Sequence, residues 1–544
     1  MIKKPNFLFI LVDEMRYPPI YETAELKKWR KENLRSQELL KMYGMEFKRH
    51  YVGSTACTPS RTTLFTGQYP SLHGVSQTSG AAKTSFDPDM FWLDENTVPT
   101  LGTWLTAGGY KTYYRGKWHV SEEDILIPTT HDSLASYDAT TGVPNPYVTE
   151  LYLKANRLGK YGFSGVVGPE PHGTDAYNSG SSAPAGIGGR DVVYSQQIIN
   201  VLSDLESSSS DKPWFVVASF VNPHDITLYG NLTRISPNFN FVIDPSLPII
   251  PPAPTANENL STKPVAQQSY KDVYQQAFQP TTDTEEYRKF YYSLQKQVDD
   301  EIYKVLQTII NSPMYKDTII VFTSDHGDEV GAHGLFQKWH NFYEESVHVP
   351  LIFHNPVLFS QYKSSKELTS HVDLVPTLLG LAGIDINNIK TNVMKTHSEV
   401  HHLVGKSLCL DSKKRNYCPG DRYNEPLYFM TEDEPTSGLN QTTFTGKPYH
   451  AVIQPNNVES IITYLRNHEK HLYKYSRYYD PNSLAEEFEM YNLTADPLET
   501  KNLVVEKFST PKTKIIRIFL QAVLLEQRAK KRLVPRTLQP VTNF

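Results

Sequence analysis

The residues best equipped for chemistry in this chain sit in a few short segments. Cys57 opens Cys57-Thr58-Pro59-Ser60-Arg61, inside a run from Ser54 to Gly67. A lone cysteine is most simply a small buried hydrophobe, or a thiolate nucleophile where a base and a lowered pKa support it. Pro59 suits the first turn of a helix, and Thr62-Thr63-Leu64-Phe65-Thr66-Gly67 reads as that helix and its stop. Residue 57 then stands at a helix N-terminus, where free N–H groups favour an anion. Asp13-Glu14 and Asp325-His326 each follow an apolar run, residues 6–12 and 318–324. One such pair is most often a cap or a turn; two pairs at two strand ends make a divalent cation site. Three carboxylates favour a hard ion, Ca²⁺ or Mg²⁺, and the imidazole tilts the set toward Mn²⁺. Lys117 and His119 lie two apart in Gly116-Lys117-Trp118-His119, where an extended backbone turns both toward one anion. His224 follows the apolar run 215–220, and Lys338 ends Gly334-Leu335-Phe336-Gln337-Lys338.

These groups need a rigid frame. The runs at 6–12, 215–220 and 318–324 predict buried parallel strands that carry ligands at their carboxyl ends. Residues 284–310 place Tyr287, Tyr291, Leu294, Val298, Ile302 and Leu306 on one helical face, and 191–205 repeat the pattern through Tyr194, Ile198 and Leu202. Beyond about residue 425 the texture changes. His450–Gln454, Ser460–Leu465 and Lys470–Tyr475 predict antiparallel strands, followed by a helix at 515–528. Residues 121–187 and 226–282, rich in Gly, Ser and Pro, predict irregular insertions that wall or cover a pocket. No internal repeat is present.

Cys57-Thr58-Pro59-Ser60-Arg61 resembles the sulfatase signature Cys-x-Pro-Ser-Arg, and the other segments follow in that family's chain order. Residues 334–353, 371–380 and 491–503 extend the resemblance over most of the chain. It implies an alkaline-phosphatase-like α/β/α sandwich with a large, mostly parallel sheet over 1–424. A smaller C-terminal unit with an antiparallel sheet and a helix would occupy 425–544. It implies that a formylglycine-generating enzyme oxidises Cys57 to an aldehyde, whose hydrate attacks sulfur. Asp13, Glu14, Asp325, His326 and residue 57 would hold the metal, with calcium the family's usual ion. The family uses a second aspartate where this chain has Glu14, which keeps the charge and adds a methylene. Arg61 and Lys117 would neutralise the sulfate oxygens, with Asp325 as base for the attack. His224 and Lys338 would face the leaving alcohol, and His119 would take the proton of the second hydroxyl to expel sulfate.

The activity implied is hydrolysis of a sulfate monoester, with a small molecule or a saccharide as the alcohol. Two alternatives stand beside it. Relatives with the same nucleophile cleave phosphonate monoesters or phosphodiesters, and Glu14 is the one clue to a non-catalytic descendant. With 544 residues, net charge −5 and 39% hydrophobic residues, the chain can build a large α/β unit and offers no basic nucleic-acid surface. No run is long and apolar enough to span a bilayer. Lys3-Lys4 and the apolar run after them lack a small-residue cleavage site, so no signal peptide is evident and a cytoplasmic location is expected. Cys409 and Cys418 are close enough to pair, or to stay reduced, leaving Cys57 free. Composition says nothing of oligomeric state.

Overall fold

A computed structural model describes residues 4–171, 175–408, 410, 425–467 and 469–536. Its central strand is β1 (Asn6–Asp13), whose side chains divide by parity. Phe7, Phe9 and Leu11 enter one core and Leu8, Ile10 and Val12 the other, the alternation of a strand buried on both faces. Around it lie β2 (Gly44–Phe47), β3 (Lys111–Gly116), β4 (Trp214–Pro223), β5 (Thr318–Ser324), β6 (Leu351–His354) and β7 (Lys363–Ser365). The spatial order is β3-β4-β1-β5-β6-β2-β7. The strands β3, β4, β1 and β5 run parallel, and β6 is antiparallel to both its neighbours.

Helices cover both faces. On one lie α1 (Cys57–Thr66) and, late in the chain, Leu374–Leu381, which pack Leu64, Phe65, Leu374 and Leu378. On the other lie α2 (Arg190–Ser207) and α3 (Glu285–Asn311), which pack Ile198, Leu202, Val298, Ile302 and Leu306. Thr284 caps α3 by accepting the Tyr287 N–H at 3.1 Å. The α/β/α sandwich expected from the sequence is the fold found.

A second sheet, β8 (Leu427–Thr431), β9 (Asn457–Asn467), β10 (Glu469–Tyr479) and β11 (Glu486–Asn492), is antiparallel throughout. One face packs Tyr428, Met430, Ile461 and Tyr475 on Leu520 and Leu524 of α4 (Pro511–Lys531). The other gives Phe429, Val458, Ile462 and Tyr478 to a core shared with Tyr270, Phe342 and Tyr343.

Several expectations need correction. His450–Gln454 is not a strand. The Val452 N–H goes to Thr436 Oγ1 at 3.0 Å and the Ile453 N–H to Ser269 Oγ at 3.1 Å, so neither serves a ladder, and Pro455 has no N–H to offer. Leu427–Thr431 and Glu486–Asn492 are strands that the pattern did not mark. The insertions carry helices at Pro146–Ala155 and Val265–Ala277. Cys409 and Cys418 lie outside the described residues. Among the described residues no single helix is long and apolar enough to cross a membrane.

Candidate active site

The carboxyl ends of β1 and β5 lie side by side, with Val12 paired to Ser324, so Asp13 and Asp325-His326 emerge together. On the other side of β1 the register with β4 slips, from Leu11 opposite Ser219 to Asp13 opposite Pro223. Such an irregularity bends a strand end and re-aims its side chains. Helix α1 starts at Cys57 without a side-chain cap and stops at Gly67, whose φ of 66° is the left-handed conformation glycine adopts most easily. All of α1 is buried, and its first turn holds Cys57 Sγ 3.0 Å from His326 Nε2 and 3.8 Å from Asp13 Oδ1.

Donor atoms of Asp13, Cys57, Asp325 and His326 fall within 4.8 Å of one another, all buried. His326 Nε2 lies 3.3 Å from Asp13 Oδ1 and 3.7 Å from Asp325 Oδ1. Its Nδ1 stands 3.0 Å from the Gly327 carbonyl. With the proton on Nδ1, the Nε2 lone pair faces the group, the arrangement of a metal-binding imidazole. This donor set fits one divalent cation. Glu14 stands outside the group of four: its Oε1 lies 3.1 Å from Lys338 Nζ, a reach its extra methylene permits.

Buried cations hold the carboxylates. Arg61 Nε donates to Asp325 Oδ2 at 2.6 Å, and Nη1 to the Lys117 carbonyl at 2.7 Å and Ser219 Oγ at 3.0 Å. Arg61 Nη2 is 3.6 Å from Asp13 Oδ2, to which Lys117 Nζ donates. Burial opposes the Asp13 charge, yet Lys117, His224, Arg61 and His326 together hold its carboxyl well below the usual range. Asp13 and Asp325 are thus matched by Arg61 and Lys117, while Glu14, whose carboxyl burial raises well above the usual range against the pull of Lys338, lies beside that lysine. A divalent cation added to that balance leaves a positive centre, suited to an anionic ester. Burial, then Asp13, pushes the Cys57 thiol up to about 11, the opposite of an activated thiolate. Burial and then Lys117 push His224 well below its ordinary value.

The Lys117–His119 segment is not extended, contrary to expectation. Gly116 has φ 99° and His119 φ 55°, and a Cβ on Gly116 would stand 1.6 Å from the Ser219 carbonyl oxygen. The chain therefore turns at the end of β3. Lys117 reaches Asp13, and His119 Nε2 lies 3.2 Å from Ser79 Oγ. Both still border one cavity of about 550 Å³, together with Cys57, His224 and Lys338. Phe278 and Trp339, with ring centroids 5.4 Å apart, form part of its wall. Arg61 is fully buried behind the cavity and acts on it through Asp13 and Asp325.

An acid that ties the site together escaped the sequence reading. Asp433, just past β8, accepts from the Ala56 N–H at 3.0 Å, Thr78 N–H at 2.9 Å, Thr78 Oγ1 at 2.7 Å and Trp339 Nε1 at 2.9 Å. It joins the start of α1, a pocket loop and the residue after Lys338. No local pattern marks it.

Comparison with known proteins follows the same lines. The sulfatase family model matches residues 5–384. The chain is 26% identical over 393 residues to the uncharacterized sulfatase YidJ of Escherichia coli, covering 71% of this chain and 69% of that protein. It is 25% identical over 517 residues to the Delta 4,5-hexuronate-2-O-sulfatase of Bacteroides thetaiotaomicron, covering 92% and 85%. A solved 2-O GAG sulfatase superposes with TM-score 0.61 at 21% identity, over 97% of this chain and 93% of that one, and supports the fold.

Proposed function

This chain belongs to the sulfatase family of sulfuric ester hydrolases, and from that premise we propose that it cleaves a sulfated saccharide with a formylglycine made from Cys57. The observation that carries this reading is Cys57 at the cavity floor, inside a buried group of metal donors.

Asp13, Asp325, His326 and residue 57 would hold the ion, Ca²⁺ by resemblance to the family, with Mg²⁺, which suits hard oxygen donors equally, and Mn²⁺ the alternatives. The ion would supply Lewis-acid charge at the sulfate oxygens, and the oxidised Cys57 an electrophilic carbon whose hydrate is the nucleophile. The protein's own groups do the rest. Arg61 and Lys117 fix the two aspartates from behind, so neither carboxylate has to reorganise during reaction. Lys117 and Lys338 border the cavity as cations for the nonbridging oxygens. Burial opposes the charge of Lys338, but Cys57, Glu14 and Asp13 raise its pKa above the ordinary value and it keeps its proton. His224 and Lys338, both on the cavity lining, would donate N–H to the leaving oxygen, and His119 would be the proton acceptor on the cavity wall. Asp325, held by Arg61, is the base for the attack. The saccharide assignment draws on the hexuronate sulfatase relative and on the Phe278–Trp339 wall, an apolar surface for a sugar ring. A formylglycine-generating enzyme is the implied partner in maturation.

Mass spectrometry of the tryptic peptide His50–Arg61 from native-source protein tests the proposal. Conversion replaces the thiol by an aldehyde, a loss of hydrogen sulfide offset by one oxygen; an intact thiol in active enzyme overturns it. Parallel assays on p-nitrophenyl sulfate and a phenylphosphonate ester set the leaving chemistry, and greater efficiency on the phosphonate would favour the related hydrolase activity.

A further inference from the structure

The turn that carries Lys117 and His119 rests on a buried glutamate that the chemistry above does not use. Glu170 Oε1 accepts the backbone N–H of Trp118 at 2.8 Å and that of His119 at 2.7 Å. His119 has φ 55°, a backbone state that persists only where its surroundings enforce it. Glu170 is itself anchored, since its N–H donates to Asp124 Oδ1 at 2.9 Å and its carbonyl accepts from Asn178 Nδ2 at 2.6 Å.

We propose that Glu170 is the positioning residue for His119. The proposal rests on the reading that His119 takes part in the reaction. Glu170 touches neither the cavity floor nor the reacting atoms. Its part is to pin the two amides that set the direction of the imidazole, and a misdirected base costs turnover more than binding.

The test uses the matured full-length enzyme with p-nitrophenyl sulfate, and thermal unfolding is measured on every variant. Glu170→Ala strips both amides of their acceptor; it is expected to lower kcat about 10- to 100-fold while KM stays within about twofold. Glu170→Gln retains an acceptor oxygen and is expected to keep kcat within about fivefold of wild type. Wild-type kcat in Glu170→Ala overturns the proposal, as does an equal loss in Glu170→Gln, or a change confined to KM. Should Glu170→Ala fail to fold, Glu170→Asp decides, since its carboxylate is one methylene shorter and is drawn back from the two amides: a kcat loss with KM unchanged supports the proposal, and wild-type kcat overturns it. A wild-type enzyme that releases no sulfate from any ester fails the functional reading instead. In that event the His119 ring position decides, in crystal structures of Glu170→Gln and Glu170→Ala: displaced only in the alanine variant it supports the claim, unmoved in both it overturns it.

Discussion

At the scale of single residues, the site is a problem in buried charge. Arg61 contacts both aspartates and is fully enclosed, so Arg61→Met leaves Asp13 and Asp325 short of a cation. Breaking a buried pair from one side costs about 3–5 kcal/mol; urea denaturation of the metal-free protein is expected to show a loss of that size. The same carboxylates repel one another unless an ion joins them. A chelator is therefore expected to abolish sulfate release and lower Tm, and added Ca²⁺ to restore both, with Mn²⁺ and Mg²⁺ compared side by side. Retained activity after exhaustive chelation would contradict the assigned donor set. Much at this scale was legible in the sequence. Asp13, Cys57, Arg61, Asp325 and His326 lie in short strings whose neighbours, an apolar strand or a proline-led helix, announce them. Asp433 and Glu170 were not legible, because each is a single acid whose partners lie far off, 377 residues away for Ala56 and 51 for His119.

At the scale of elements, strands β1 and β5 and helix α1 form a tripod that meets at Cys57, and Asp433 ties the third leg to the second sheet. Asp433→Ala leaves the Ala56 and Thr78 amides, the Thr78 hydroxyl and the Trp339 indole without their acceptor. It is expected to cut kcat by roughly tenfold to a hundredfold, with the loss larger for the nucleophile helix than for KM. Unchanged kcat would show that the tie is dispensable. Thr284→Ala, which removes the cap of α3 far from the chemistry, is expected to cost about 1 kcal/mol of stability and leave kcat alone. Unbroken apolar runs revealed β1 and β5, and the helical repeat of buried positions revealed α3. Neither signal marked β11, whose Glu486, Glu487 and Glu489 look unlike a strand; Glu486 lies exposed on the sheet's edge strand, while Glu489 is buried and accepts hydrogen bonds from Tyr343, Tyr478 and Tyr491. The sequence pattern also proposed a strand at 450–454, where the backbone donors serve side chains instead.

At the scale of the whole molecule, the helical layer behind the sheet carries its own pH response. Burial raises Asp191 to about 8 and Asp299 to about 7, on α2 and α3. An acid whose folded pKa exceeds its unfolded value adds stability that is complete below the unfolded value and fades as pH rises through the folded one. Wild-type protein is thus expected to lose stability between about pH 5 and about pH 9, and Asp299→Asn to flatten that decline; parallel urea titrations at both ends would show it. How the second sheet seats on the first could not be read from sequence, since its apolar residues name no partner. That seating also sets a clock. Cys57 meets the outside only across the cavity floor, the nine residues after it are buried, and the acid that latches the Ala56 amide at their entrance is 377 positions further along the polypeptide. A ribosome exposes Cys57 early and delivers the latch late. Any catalyst that must grip the backbone on both sides of Cys57 has that interval of synthesis to act, before the helix and its latch leave only the side chain within reach.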